Sequence, residues 1–114
     1  RNDRIKKPQT SLKCIKITNN MGWCDDVRFP KKHNRLIKIR AEVKHEKLKR
    51  NDSKYDLLIP IKYNFIKPEL RLGSCIFIHL TKNYKPTAGC IAMGEKDFLI
   101  MLRLINKNTK IKIL

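Results

Sequence analysis

The sequence predicts a mainly β domain with one packed helix. Several short segments alternate apolar and polar residues, which is the pattern of strands with one buried face. Residues 95–105 show the spacing of an amphipathic helix and form the only convincing helical segment. The chain has 114 residues, of which 41% are hydrophobic, and this is enough for one modest core. We therefore expect a single domain over residues 1–114.

Two short strands are expected in the N-terminal half. Residues 12–17 are predicted to form the first. Residues 36–40 are predicted to form the second, with Ile37 and Ile39 facing inward and the intervening basic residues facing outward.

Residues 21–30 are predicted to be a loop with unusual contents. Trp23 stands there beside Asp25 and Asp26. An aromatic residue and paired carboxylates in a loop indicate either a functional site or a structural tie. In the structural interpretation, which we favour, Trp23 closes one end of the core and the carboxylates cap local N–H groups.

Residues 41–49 are predicted to form one or two helical turns around His45 and Glu46. Two roles remain open for His45. It either orients a side chain near the functional site or lies on the surface.

The C-terminal half contains the clearest patterns. Residues 55–64 alternate with period two, and Pro60 within them marks an edge, a bulge or a break, because it lacks a backbone donor. Residues 75–80 are predicted to form a buried strand. Residues 95–105 form the predicted helix, with acidic residues in its first turn, and residues 109–114 are predicted to end the chain as a strand.

The net charge of +17 favours a polyanionic partner, such as nucleic acid, anionic lipid or an acidic wall polymer. However, the basic residues are mostly Lys and are spread over the whole chain. No basic stripe with interleaved aromatic residues is present, so we expect no dedicated nucleic-acid site. No apolar run approaches about 18 residues, so we expect no transmembrane segment. The four cysteines form no CxxC pair, which argues against a zinc ribbon or a thioredoxin-type site.

Residues 73–90 carry the candidate chemistry. In the predicted strand, Cys75, Phe77 and His79 share one face, which is otherwise apolar. An imidazole there must be hydrogen-bonded or face a pocket, because burying an unpaired polar group costs roughly 1–3 kcal/mol. Cys90 follows a small-residue turn, and Gly89 allows close approach of a substrate carbonyl.

Cys90 and His79 therefore form a candidate nucleophile–base pair, in which the imidazole takes the thiol proton and later passes a proton to the leaving amine. The alternative from the residues alone is a structural cysteine beside a histidine whose hydrogen bonds are satisfied, since cysteine is among the most buried residue types.

The segment resembles the catalytic core of the L,D-transpeptidase family, also called the YkuD-type domain of bacterial cell-wall enzymes. The resemblance rests on an apolar strand ending in His, a turn ending in Gly-Cys, and a following acidic helical segment. These correspond to Ile76-Phe77-Ile78-His79, Thr87-Ala88-Gly89-Cys90 and residues 95–105. Ala88 stands where most members have His, and this matches a subgroup with a Thr-Ala-Gly-Cys nucleophile motif.

The resemblance extends upstream to the same subgroup, in which several short motifs occur in a fixed order. Here they are Gly22-Trp23-Cys24-Asp25-Asp26, Asn34-Arg35, His45-Glu46 and Tyr55-Asp56. An ordered set of motifs is more specific than any one of them.

The resemblance implies an L,D-transpeptidase-like β-sandwich with one C-terminal helix. It implies that Cys90 is the acyl-accepting nucleophile, that His79 is its base, and that the main chain of Gly89 and Cys90 binds the oxyanion. The substrate would be a peptidoglycan stem peptide, which is cross-linked or trimmed through a thioacyl-enzyme. No metal site and no organic cofactor are implied. Further residues with a possible substrate-binding or supporting role are Thr87, Ala88, His45, Trp23 and Asp25.

By the same comparison, we expect the chain to lack the N-terminal strands of such a domain. The family implies a location in the cell envelope, although the chain starts at Arg1 without a signal peptide. We expect a monomer. Two other functions stay open: a catalytically degenerate relative that binds wall polymer, and a small basic nucleic-acid-binding protein.

Overall fold

The computed structural model describes residues 1–69, 72–84, 87 and 89–112. Within these residues the chain forms two three-stranded sheets and one helix, which confirms the mainly β class with one packed C-terminal helix. The elements in chain order are β1 (Met21–Cys24), β2 (Leu36–Lys38), β3 (His45–Lys47), β4 (Leu58–Pro60), β5 (Phe77–Leu80), β6 (Ile91–Met93) and α1 (Glu95–Leu104).

The first sheet has the order β2-β1-β3, and both pairings are antiparallel. Trp23 on the central strand lies opposite Leu36 on one side and Glu46 on the other. Directly opposed residues share a face, so Trp23 and Glu46 point to the same side of the sheet. Trp23 is buried there, and this side is therefore the core side.

The second sheet has the order β4-β5-β6. Strand β5 pairs antiparallel with β4 and parallel with β6. Phe77 packs edge-on against Trp23, with ring centroids 5.3 Å apart, and so faces the first sheet. Ile78 belongs to a second cluster with Phe98 and Leu102, and so faces the helix. The predicted division into two apolar faces is confirmed for Phe77–Leu80, but the strand begins two residues later than predicted, after Cys75, which has positive φ.

The layers are thus the first sheet, the second sheet and the helix. The core between the sheets contains five buried side chains, which are Ile17, Trp23, Leu48, Tyr55 and Phe77. Burying one such aromatic or aliphatic side chain contributes roughly 1.5–3 kcal/mol. In the described residues no helix is long and apolar enough to cross a membrane.

Four local predictions for the N-terminal half were wrong. The strand predicted over residues 36–40 covers Leu36–Lys38, and Ile37 and Ile39 lie on the Gly22 side of the sheet, away from Trp23, instead of facing the core. Residues 12–17 form no strand, although Ile17 is buried and its N–H bonds to the carbonyl of Arg1. Residues 21–24, predicted as loop, form the central strand, because the inward Trp23 alternates with a glycine that lets neighbours close over the other face. Residues 45–47, predicted as helical, form β3, since pairing with β1 outweighs local propensity.

In the C-terminal half the helix is confirmed, ending one residue earlier than predicted. The long predicted strand over residues 55–64 is shorter, covering Leu58–Pro60 at the edge of its sheet. Pro60 ends it, as expected of a residue without an N–H for the ladder. Residues 109–112 form no strand, and residues 113 and 114 lie outside the described part of the chain.

Candidate active site

The parallel pairing of β5 and β6 brings Cys90 near His79. His79 lies opposite Ala92, and continuing this register by two residues places Cys90 beside Phe77. Residues two apart on a strand share a face, so the thiol and the imidazole belong to the same side of the sheet. From strand spacing and rise, their Cα atoms are about 8 Å apart.

The imidazole of His79 is hydrogen-bonded at one of its two ring nitrogens. The side chain is only 2% exposed, and Nδ1 lies 2.9 Å from the carbonyl oxygen of Leu80. A carbonyl accepts but does not donate, so Nδ1 carries a proton and donates it. In the neutral ring Nε2 then presents a lone pair. Nε2 is buried and has no hydrogen-bond partner among the described residues, so it is available to accept a proton.

The thiol of Cys90 is half-buried at the edge of the same core. Its Sγ donates a hydrogen bond to the carbonyl of Cys75 at 3.2 Å. The side chain packs against the cluster formed around Phe77 and Tyr55. Cys90 is therefore reachable from solvent, whereas His79 lies beneath the surface.

The turn before Cys90 has the conformation that its glycine suggests. Gly89 has φ +138°, a region that residues with a Cβ rarely adopt. The Thr87 hydroxyl donates to the carbonyl of Cys90 at 2.5 Å and accepts from the Gly89 N–H at 3.4 Å. The Gly89 N–H, the predicted oxyanion donor, thus has an internal hydrogen-bond partner in this structure. Ala88 lies outside the described residues.

A second cysteine stands at the site. Cys75 has φ +59° and directs its carbonyl to Cys90. Burial, together with the nearby carboxylates of Glu46 and Asp25, raises the pKa of the Cys75 thiol to about 12, against the opposing effect of a hydrogen bond from Ser74. This thiol therefore stays protonated at neutral pH and does not compete as a nucleophile.

Tyr55 closes the site between the two sheets. Its ring lies 5.7 Å from the His79 ring and 5.8 Å from the Phe77 ring, measured between centroids. Its hydroxyl donates to the carboxylate of Glu46. Burial raises the pKa of Tyr55 above its ordinary value, as do the hydrogen bond to Glu46 and the negative charge of Glu46. The phenol is therefore neutral and acts as a donor.

Residues 14–113 match the model of the YkuD family, described as the L,D-transpeptidase catalytic domain. The chain belongs to the L,D-transpeptidase catalytic domain family. The match includes Cys90, His79 and every other residue considered for the site. No curated protein and no solved structure gives a significant match.

The other predicted site residues of this L,D-transpeptidase-family domain lie on opposite faces of its first sheet. Trp23 faces the core and donates its indole N–H to Asn34 at 2.9 Å. Asp25 is half-buried near Cys75, and its Oδ1 has no hydrogen-bond partner among the described residues. His45 is on the other face of the first sheet, where Nδ1 donates to the Val43 carbonyl at 2.7 Å and the ring packs on Gly22. The structure brings Asp25 toward the site and leaves His45 on the opposite face.

The sequence does not single out Glu46, Tyr55 and Cys75 as candidate site residues, although the structure places all three near His79 or Cys90. A helical turn over residues 41–49 would place Glu46 beside His45, whereas on strand β3 these neighbours point to opposite faces. Strands β1 and β3 have only four and three residues, which is too short an alternation to predict their pairing. Groups of three or more His, Cys, Asp and Glu side chains arranged to hold a metal ion are absent from the described residues.

Proposed function

We propose that this L,D-transpeptidase-family domain is a cysteine acyl-transferase that acts on peptidoglycan stem peptides. Cys90 is the nucleophile and His79 is its base. The observation that carries the proposal is the common face of the paired strands: it combines a half-buried thiol with a buried imidazole whose Nε2 lone pair has no partner among the described residues. The substrate class, peptidoglycan stem peptides, is inferred from the family. The acyl-transfer chemistry is inferred from the cysteine and the histidine.

The first half-reaction transfers the acyl group to the enzyme. The Cys90 thiol leaves its bond to the Cys75 carbonyl and gives its proton to His79 Nε2. The thiolate attacks the carbonyl carbon of a stem-peptide amide, and main-chain N–H groups at Gly89 and Cys90 bind the oxyanion. The C–N bond then breaks, the leaving amine takes the proton from His79, and a thioester on Cys90 remains.

The second half-reaction releases the acyl group. An amine of another stem peptide, or water, gives a proton to His79 and attacks the thioester. The C–S bond breaks, and the returning proton restores the thiol of Cys90. Attack by the amine forms a cross-link and attack by water trims the stem.

The test is covalent labelling by a carbapenem β-lactam, followed by intact mass and peptide mapping. We expect one adduct on wild type, located on Cys90, and none in Cys90→Ala. His79→Gln is expected to slow labelling by about 100- to 10,000-fold, the usual contribution of a general base.

Cys14→Ala is the matched control, because it removes a half-buried free thiol on the N-terminal segment and should label as wild type does. An unlabelled wild type, or an adduct that survives in Cys90→Ala, would overturn the proposal. Retention of an unlabelled wild type on isolated peptidoglycan would instead favour a binding function without chemistry.

A further inference from the structure

We propose that Glu46 is a positioning residue for the Cys90–His79 pair, acting through Tyr55 on the imidazole. The inference rests on the proposed function, because it assigns a role around the same nucleophile and base. Glu46 comes from the first sheet, whereas both reacting residues come from the second.

The link begins with the position of Glu46 on β3. It lies opposite Trp23 and therefore points into the space between the sheets. There its carboxylate accepts the hydroxyl proton of Tyr55. Tyr55 precedes β4 and is 2% exposed. This hydrogen bond consequently ties the two sheets together at the site, and hydrogen bonds to a charged acceptor are about twice as strong as neutral ones.

The tie fixes the ring that contacts the imidazole. The Tyr55 ring is packed at 5.7 Å and 59° from the His79 ring, and it meets Phe77 edge-on. The His79 imidazole has one hydrogen bond to the described residues, at Nδ1, so rotation about its side-chain bonds is limited mainly by what packs against it. A tyrosine held at both its ring and its hydroxyl supplies that restraint.

The experiment compares Glu46→Ala, Glu46→Gln, Tyr55→Phe and the double variant Tyr55→Phe/Glu46→Ala. Two rates are measured: saturable acylation by a carbapenem, giving a maximum rate and a half-saturating concentration, and alkylation of Cys90 by iodoacetamide at pH 7, followed by peptide mapping. Glu42→Ala is the control, because it removes a carboxylate that is 61% exposed from the loop next to β3. Thermal melts identify variants that fail to fold.

We expect Glu46→Ala and Tyr55→Phe each to lower the maximum acylation rate by about 10- to 100-fold, the scale of a misplaced reacting group, with little change in the half-saturating concentration. Glu46→Gln keeps an acceptor oxygen and should lie closer to wild type than Glu46→Ala. The double variant should be no slower than Glu46→Ala, because both changes break the same hydrogen bond. Glu42→Ala should match wild type.

Several results would overturn the inference. They are wild-type maximum rates in folded Glu46→Ala and Tyr55→Phe, multiplied losses in the double variant, or a change confined to the half-saturating concentration. If Glu46→Ala is unfolded, the maximum acylation rate of Tyr55→Phe, compared with that of Glu46→Gln, decides instead. If wild type is not acylated, the proposed function fails separately. The alkylation rates then decide whether Glu46 positions His79 beside Cys90: slower alkylation in Glu46→Ala and Tyr55→Phe supports it, and equal rates reject it.

Discussion

Single polar side chains hold the loops around this site. The Asn34 amide accepts from the Trp23 indole and donates to the carbonyls of Tyr63 and Asn64. It has φ +56°, which asparagine tolerates better than most residues. Asp26 is buried and accepts from the Arg28 guanidinium and from the main-chain N–H of Lys44. The local capping role predicted for the loop carboxylates is confirmed for Asp26.

Asp26 also predicts a pH dependence of stability. The Arg28 hydrogen bonds, followed by the bond from the Lys44 N–H, hold the pKa of Asp26 well below its usual range. A carboxylate with a lowered folded pKa stabilises fully above its unfolded pKa, near 4, and loses this contribution as the pH falls through the lower folded value. We expect Asp26→Asn to lower the melting temperature at pH 7, and the gap from wild type to narrow as the pH falls below about 4.

The measurement is thermal unfolding from pH 2 to 8. Glu42→Gln, which changes an exposed carboxylate 3.7 Å from Arg40, should follow wild type at every pH. A gap for Asp26→Asn that stays constant with pH would contradict the assignment.

At the level of elements, strand β1 depends on a glycine. A Cβ on Gly22 would lie 3.0 Å from His45 Cδ2, 3.1 Å from Ile39 Cγ1 and 3.3 Å from the main-chain oxygen of Glu46. The absent side chain lets both flanking strands close over the outer face of the sheet while Trp23 fills the inner face. Close packing of this sheet is what presents Glu46 to Tyr55.

We expect Gly22→Ala to lower the free energy of unfolding by about 1–3 kcal/mol, the usual cost of overpacking. The measurement is chemical denaturation at pH 7. Because the closest contact is a side-chain atom, adding His45→Ala to Gly22→Ala should recover part of the loss. If Gly22→Ala is as stable as wild type, or if the double variant recovers no stability, then the side chains around Gly22 are packed more loosely than these distances indicate.

The whole molecule carries far more positive charge than its ion pairs compensate. There are 27 basic and 10 acidic side chains. Several of the described pairs, such as Lys49–Asp3 and Arg50–Asp52, join partly exposed groups, and each of these contributes at most about 1 kcal/mol. The excess of like charge favours repulsion within the folded chain.

We therefore expect the melting temperature to rise with salt. Raising NaCl from about 0.02 M to about 0.5 M shortens the screening length from roughly 20 Å to roughly 4 Å and weakens this repulsion. Thermal unfolding in NaCl, compared with sucrose at equal osmolality, separates screening from solute exclusion. If the melting temperature stays constant or falls as NaCl is raised, attractive ion pairs outweigh the repulsion among cations.

The class of the fold and the candidate thiol and imidazole follow from local sequence. Alternation in residues 75–80 predicts a two-faced strand, and Cys90 follows His79 after a short connection. The β1–β3 pairing was not predictable in this way. Strands of three or four residues carry too little periodicity to be distinguished from loops or single helical turns, and cross-strand partners, not propensity, decide them.

The sequence alone determined the mainly β class, the amphipathic helix, the family resemblance and the thiol and imidazole, because each depends on residue types at short spacing. Tertiary structure alone decided that Glu46 and Tyr55 meet beside them. Those two residues are nine positions apart in the chain but belong to different layers, and only the closing of one sheet over the other brings carboxylate and hydroxyl into contact.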